Sequence, residues 1–258
     1  MIIISLTTIP PRFDNLYFTI DSILSQSILP DIILIHIPEK YNNYSYDFNS
    51  LPKFSSDKVI INNKVKDYGP ATKLLGLYDN ELYKKMSEED IIIVIDDDRI
   101  YNTDLIKNMI YYHKLYPDKA LTVAGWEIED LAKKKFIINN KKQPRGIEFL
   151  TCGYIDFIGG CCGFVLNKKM CPFQYEELFD LHPDDNNYWV DDIWISGFLT
   201  LSNIDIYIIP NAIFNDEIRS INNQISPLYN DERREKNIKC IEYFRDKYNI
   251  WKDNDINE

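Results

Sequence analysis

Short apolar runs rich in β-branched residues return along the chain at 2–7, 31–37, 58–62, 90–95, 120–124 and 204–209, and segments of helical spacing separate most of them. A strand covered on both faces reads as such a run, and parallel neighbours need a crossover between them. The alternation predicts an α/β fold, a mostly parallel central sheet flanked by helices. At 258 residues and 45% hydrophobic content, the chain can bury one large core. No repeat and no Pro/Ser-rich linker interrupts it, so one domain is expected, with a ligand-binding half at 1–125 and a more irregular half at 126–258.

The helical segments fall at about 14–25, with Leu16, Ile20, Ile23 and Leu24 on one face, and at about 71–85, with Leu74, Leu75, Tyr78 and Leu82 together. A third is expected to be capped by Thr103 and stopped near Pro117. A fourth begins near Asp191, and the last, 231–248, aligns Ile238, Ile241, Phe244 and Tyr248. Residues 126–150 read as an excursion rich in Lys and Asn.

A formal net charge of -11 argues against a general phosphate-backbone binder, and no nucleic-acid partner is expected. A small phosphorylated ligand needs only a local cationic pocket. "MIIISLTTIP" has no basic leader and no apolar run reaches membrane-spanning length, so a cytoplasmic protein with no transmembrane segment is expected. Five cysteines without a Cys-x-x-Cys pair read as reduced, partly buried small hydrophobes rather than as disulfides or a zinc site. His36, His113 and His182 show no metal-pair spacing, and His113 reads as structural.

The run "IIIVIDDDRIY" ends in Asp96, Asp97 and Asp98. Ligands of an open parallel sheet sit outside the carboxyl ends of the strands. Alternation would send Asp96 and Asp98 to one side and Asp97 to the other, and two same-side carboxylates suit a hard divalent cation that leaves positions open for a diphosphate. The bland alternative is a solvated acidic turn. Asp191 and Asp192 in "YWVDDIWISGFL" stand where a helix begins. Taken singly they are ordinary dipole partners; beside a metal-diphosphate site, a carboxylate fixed at a helix start suits a general base. In "KDYGPATKLLG", Lys73 occupies a first helical turn, which disfavours a cation and hints at a phosphate or the Asp cluster in front of it. Thr8 and Arg12 in "SLTTIPPRF" follow the first strand, where they either hold a nucleotide or merely shape a turn and lie on the surface. Gly159, Gly160 and Gly163 in "FIGGCCGF" let backbone approach a ligand, with no dinucleotide or P-loop spacing.

The ordered motifs "SLTTIPPR", "DYGPATK", "DDD" and "DDIW", spanning residues 4 to about 200, resemble those of the GT-A nucleotide-sugar glycosyltransferases. That resemblance implies a Rossmann-like GT-A fold and a metal-dependent DxD motif on Asp96 and Asp98, with Asp97 between them. It implies Mn²⁺ or Mg²⁺ as cofactor and a nucleotide-diphosphate sugar, a UDP-sugar first, as donor. Asp192 takes the role of base and Asp191 orients the acceptor or the helix. Thr8, Arg12, Asp67 and Lys73 line the donor segment, with Asp96 and Asp97. The chain departs from the pattern in one respect: no His follows His182, so Asn211, Asn215, Asp216 or water would complete the metal shell.

The expected reaction is glycosyl transfer to a hydroxyl of a glycan, protein or small molecule, inverting the anomeric centre. Two rivals stay open. A metal-dependent nucleotidyltransferase also uses paired carboxylates on an α/β sheet, although "TTIPPRFD" makes a poor phosphate loop. A non-catalytic nucleotide-sugar or glycan-binding module would keep the acidic pair only as a helix cap.

Overall fold

A computed structural model describes residues 1–78, 80–128, 152–171, 185–210, 219–220 and 231–251. The strands in chain order are β1 (Ile2–Thr7), β2 (Ile32–Pro38), β3 (Val59–Val65), β4 (Ile91–Val94), β5 (Arg99–Ile100), β6 (Ala120–Thr122), β7 (Gly125–Trp126), β8 (Gly153–Tyr154), β9 (Phe157–Ile158), β10 (Phe164–Asn167), β11 (Ile206–Ile208) and β12 (Arg219–Ser220). The helices are α1 (Leu16–Leu24), α2 (Thr72–Leu75), α3 (Glu81–Lys85), α4 (Leu105–Leu115), α5 (Asp191–Leu201) and α6 (Asp231–Tyr248).

An eight-stranded sheet in the order β3-β2-β1-β4-β10-β6-β11-β8 forms the centre. The β3-β2, β2-β1, β1-β4 and β6-β11 pairings are parallel, whereas β10 runs antiparallel between β4 and β6 and β8 antiparallel at the edge. Strands from both halves of the chain therefore share one sheet. Alternate residues feed two layers. Ile4, Leu6, Ile93 and Ile95 pack with Leu16, Ile20 and Ile23 of α1 and Leu105 and Met109 of α4. Ile3, Ile92 and Val94 face Leu74 of α2 and Ile195 and Leu199 of α5. A third cluster joins α5 to α6 through Trp194, Phe198 and Phe244. Gly197 makes that junction possible, because a Cβ there would lie 2.3 Å from the Phe244 ring.

Two local expectations need correction. The helix expected over 71–85 is divided: α2 ends at Leu75, Gly76 packs its Cα against the His36 ring, and Asn80 caps a new helix by accepting from the Leu82 amide. The helix expected from Thr103 starts at Leu105, with Asp104 in the cap position and no side-chain cap bond. His113 lies buried on α4, and burial lowers its pKa, in keeping with a structural role.

Candidate active site

Chain order reverses between β1 and β4: β1 is followed outward by β2, while β4 pairs with β1 on one edge and β10 on the other. Such a switch point opens a crevice at the strands' carboxyl ends. Thr8 lies just beyond β1 and Asp96–Asp98 just beyond β4. The antiparallel β10 points its amino end the same way, since Phe164 pairs with Val94, so the turn around Gly159–Gly163 borders the same crevice.

Asp97 is strapped to the β1 side. Its carboxylate accepts from Thr8 Oγ1 at 2.6 Å and from Arg12 Nη1 at 2.6 Å, and its carbonyl accepts from Thr19 Oγ1 at 2.8 Å. Arg12 also reaches Asp98 at 3.4 Å. Arg12 is thus neither a surface residue nor a free donor, and Thr8 does more than shape a turn. Asp98 departs from strict strand alternation. Because β4 ends at Val94, residues 97–98 lie in a turn, and Asp98 shares Arg12 with Asp97.

Asp96 faces the other way. Lys73 Nζ sits 2.7 Å from Asp96 Oδ1 and 2.7 Å from Asp191 Oδ2, so one buried ammonium ties the strand tip to the start of α5. Burial opposes the charge, but Asp191 and Asp96 outweigh it and raise the lysine's pKa. The turn that delivers Lys73 is shaped by Asp67, whose Oδ1 accepts from the Gly69 amide (2.9 Å) and Oδ2 from the Asn42 amide (2.8 Å). Gly69 has a left-handed φ of 60°, and its Cα abuts Tyr188, which leaves no room for a side chain. Asp67 therefore acts here on the backbone that carries Lys73.

The acidic pair at α5 does not cap its helix: Val190 holds the cap position and no side-chain cap bond forms. Asp191 instead pairs with Lys73 and with Arg233 Nη2 at 3.2 Å. Burial alone would raise its pKa, yet Lys73 and Arg233 bring it below the ordinary value. Asp192 accepts from the Gly160 amide at 3.1 Å. Burial, and then the neighbouring Asp191, push its pKa well above the usual carboxylate range. A Cβ on Gly160 would stand 2.5 Å from Asp192 Oδ1 and 2.8 Å from Lys73 Nζ, so glycine lets this turn touch both groups.

Among the described residues, no group of three or more His, Cys, Asp or Glu is arranged to enclose a metal ion. Asp96 turns toward Lys73 and Asp98 toward Arg12, yet the two lie close enough for the charge of Asp96 to act on Asp98. Burial, together with Asp96 and Asp97, pushes Asp98 up to about 6, despite Arg12 and Arg99. That excess of negative charge, on groups 22% and 28% exposed at Asp98 and Asp96, is what an added divalent cation relieves. A ligand's own oxygens would have to complete the shell. Asn211, Asn215, Asp216 and His182 lie outside the described residues.

Arg233 escaped the sequence reading. The signal was available, since it stands in the first turn of α6, where a cation is unfavourable. A helix so rich in charge hid it.

No known family's sequence profile matches the chain, and no curated protein does. Solved structures do. The chain is similar to a mannosyltransferase from Pyrobaculum calidifontis in complex with GDP-Man and Mn²⁺, at 11% identity and a TM-score of 0.53, over 94% of this chain and 62% of that one. It also aligns with 2-C-methyl-D-erythritol 4-phosphate cytidylyltransferase from Francisella tularensis (14% identity, TM-score 0.43, 93% of this chain and 98% of that one) and with S. aureus TarS 1-349 (11%, 0.43, 81% and 59%). No helix among the described residues is long and apolar enough to cross a membrane. The chain has a GT-A, Rossmann-like fold: a mostly parallel mixed sheet flanked by helices, with its acidic crevice at the switch point.

Proposed function

We propose that the protein is a metal-dependent glycosyltransferase that moves a sugar from a nucleotide-diphosphate donor to a hydroxyl acceptor. One observation carries this reading. Two acidic clusters meet at the carboxyl edge of the sheet, Asp97 tied down by Thr8 and Arg12 and Asp191 by Lys73 and Arg233, with Asp98 and Asp192 left carrying excess negative charge, and Lys73 joins the clusters. The fold shared with a mannosyltransferase that binds GDP-Man and Mn²⁺ supports it.

Asp96 and Asp98 are the residues that would hold a divalent cation, which when bound supplies Lewis-acid stabilisation of the leaving diphosphate. Arg12 and Lys73 add fixed positive charge beside that diphosphate. Asp97, already strapped, keeps Arg12 and the β1 turn in register with the strand tip. Asp192 takes the proton of the acceptor hydroxyl as its oxygen bonds to the anomeric carbon and the bond to the diphosphate breaks. Asp192 acts in this step as the carboxylate, and burial beside Asp191 makes that carboxylate a stronger base than an exposed one. Asp191, committed to Lys73 and Arg233, positions these two groups and does not touch the acceptor. One in-line displacement of this kind inverts the anomeric centre.

The test is incubation with Mn²⁺ and a panel of UDP- and GDP-sugars, following donor cleavage and thermal stabilisation. Release of free sugar and nucleoside diphosphate, with stabilisation that needs both ion and donor and is lost in Asp98→Asn, is expected. Formation of nucleoside triphosphate and sugar phosphate when inorganic pyrophosphate is added to the same mixture would instead make the protein a nucleotidyltransferase, and binding without cleavage would make it a binding module.

A further inference from the structure

The turn that carries Gly160 also carries two adjacent cysteines that the transfer chemistry does not use. Cys161 and Cys162 form no disulfide and lie half-buried in the turn Gly160–Cys162, with their sulfur atoms 3.7 Å apart. Cys171 and Cys240 are buried elsewhere in the core.

Adjacent cysteines are poorly placed to bridge. Cα atoms joined by a trans peptide stand ~3.8 Å apart, short of the roughly 4.4–6.8 Å that disulfides adopt. Closing the sulfurs to about 2.0 Å would also strain a turn held by the Cys162 amide on the Gly159 carbonyl and the Gly163 amide on the Gly160 carbonyl. Chelation asks for no such movement. Two thiolates at about 2.3 Å from one tetrahedral ion are separated by about 3.8 Å.

The surroundings favour a cation as well. The Cys162 sulfur, then burial, hold the Cys161 thiol well above its ordinary pKa, so the two do not ionise together unless positive charge arrives between them. Arg99 favours the thiolate forms of both sulfurs, and the negative charge of Asp96 reaches Cys161 and draws a cation toward it. We propose that Cys161 and Cys162 form a dithiolate site for one thiophilic divalent cation of the zinc and cadmium class, distinct in ligand chemistry from the oxygen ligands Asp96 and Asp98. Each thiol gives its proton to solvent as its sulfur bonds to the ion, with no change of oxidation state, and water fills the other positions. A consequence that rests on the transferase reading is inhibition: the ion's seat adjoins Gly160, whose amide holds Asp192.

The test is titration of the reduced, chelator-treated full chain with Cd²⁺, following thiolate-to-metal charge-transfer absorption in the ultraviolet. A band that saturates at one equivalent is expected, with affinity at least about tenfold lower in Cys161→Ser and in Cys162→Ser and unchanged in Asp98→Asn. In the unmodified protein, one equivalent should shield both thiols from alkylation, mapped by mass spectrometry. No band, a band intact in both serine variants, or unshielded thiols would overturn the site. None of these readouts involves turnover, so the dithiolate site and the transferase reading fail independently.

Discussion

The two acidic clusters use one plan with opposite finish. At the strand tip, Thr8 and Arg12 immobilise Asp97, and the under-compensated neighbour Asp98 stays partly exposed beside Asp96. At the start of α5, Lys73 and Arg233 immobilise Asp191, and the under-compensated neighbour Asp192 is met by a backbone amide from Gly160. Excess negative charge that faces outward in company with a second carboxylate invites a cation. The same excess on a single carboxyl, touched by one neutral donor, invites a proton. On the proposed reading, that difference in charge balance separates an ion seat from a base, and Lys73 is shared by both clusters.

Removing that lysine breaks the comparison most severely. Lys73→Met leaves Asp191 buried with Arg233 alone and Asp96 facing it without a counter-charge. Loss of one partner from a buried pair costs about 3–5 kcal/mol, and a urea denaturation midpoint should fall accordingly. A loss under about 1 kcal/mol would mean that the clusters stand independently and that the bridge is incidental.

The second test acts on one cluster only. Asp192→Asn keeps the size of the side chain and can still accept from the Gly160 amide, but cannot take a proton. Donor binding, read by thermal shift with Mn²⁺, should persist, while transfer falls about 10²–10⁴-fold. Normal transfer by this variant would move the base elsewhere and leave Asp192 a structural partner of the turn.

The sequence exposes these parts unevenly. The strands of the parallel half are legible because β-branched runs covered on both faces leave continuous apolar stretches, and β1, β2, β3 and β4 lie where those runs predict. The position of β10 between β4 and β6 is not legible, since strand order is decided by distant pairing and "GFVLN" carries no mark of its neighbours or direction. Gly76 and Asn80 divide a helix that apolar spacing alone makes continuous, because the contact with His36 is tertiary. In the site, Lys73 is legible because the apolar spacing over 71–85 puts a cation in a first helical turn, although α2 itself stops at Leu75. Which carboxylate is strapped and which is left over depends on where Arg12 and Arg233 arrive, 85 and 42 residues away in sequence, and no local pattern encodes that.

The smallest expected effect is the one that distinguishes the clusters by pH. Asp98 has a folded pKa of about 6, above its ordinary value of 3.8, so the native state binds its proton more tightly than the unfolded chain. Its stabilising contribution is full below the unfolded value and is lost as pH rises through about 6. The shift corresponds to at most about 3 kcal/mol, and solvent at a side chain 22% exposed reduces this to on the order of 1–2 kcal/mol. Asp191 has the opposite sign: its pKa is lowered by Lys73 and Arg233, so its contribution is present above the unfolded value and is lost only as acid reaches the folded one. Buried His36 and His113, whose pKa values are lowered, tilt the stability of every variant upward with pH in this range, and Asp97 and Asp192, whose values are raised, tilt it downward, so the readout is a difference. Denaturation of metal-free protein between pH 4.5 and 7 should show the wild type losing stability relative to Asp98→Asn as pH rises through about 6. Mn²⁺ with donor should remove that pH dependence of the difference, because a cation at Asp98 takes the place of the proton. A difference that stays constant or grows in favour of the wild type across this window would put the uncompensated charge on some other group.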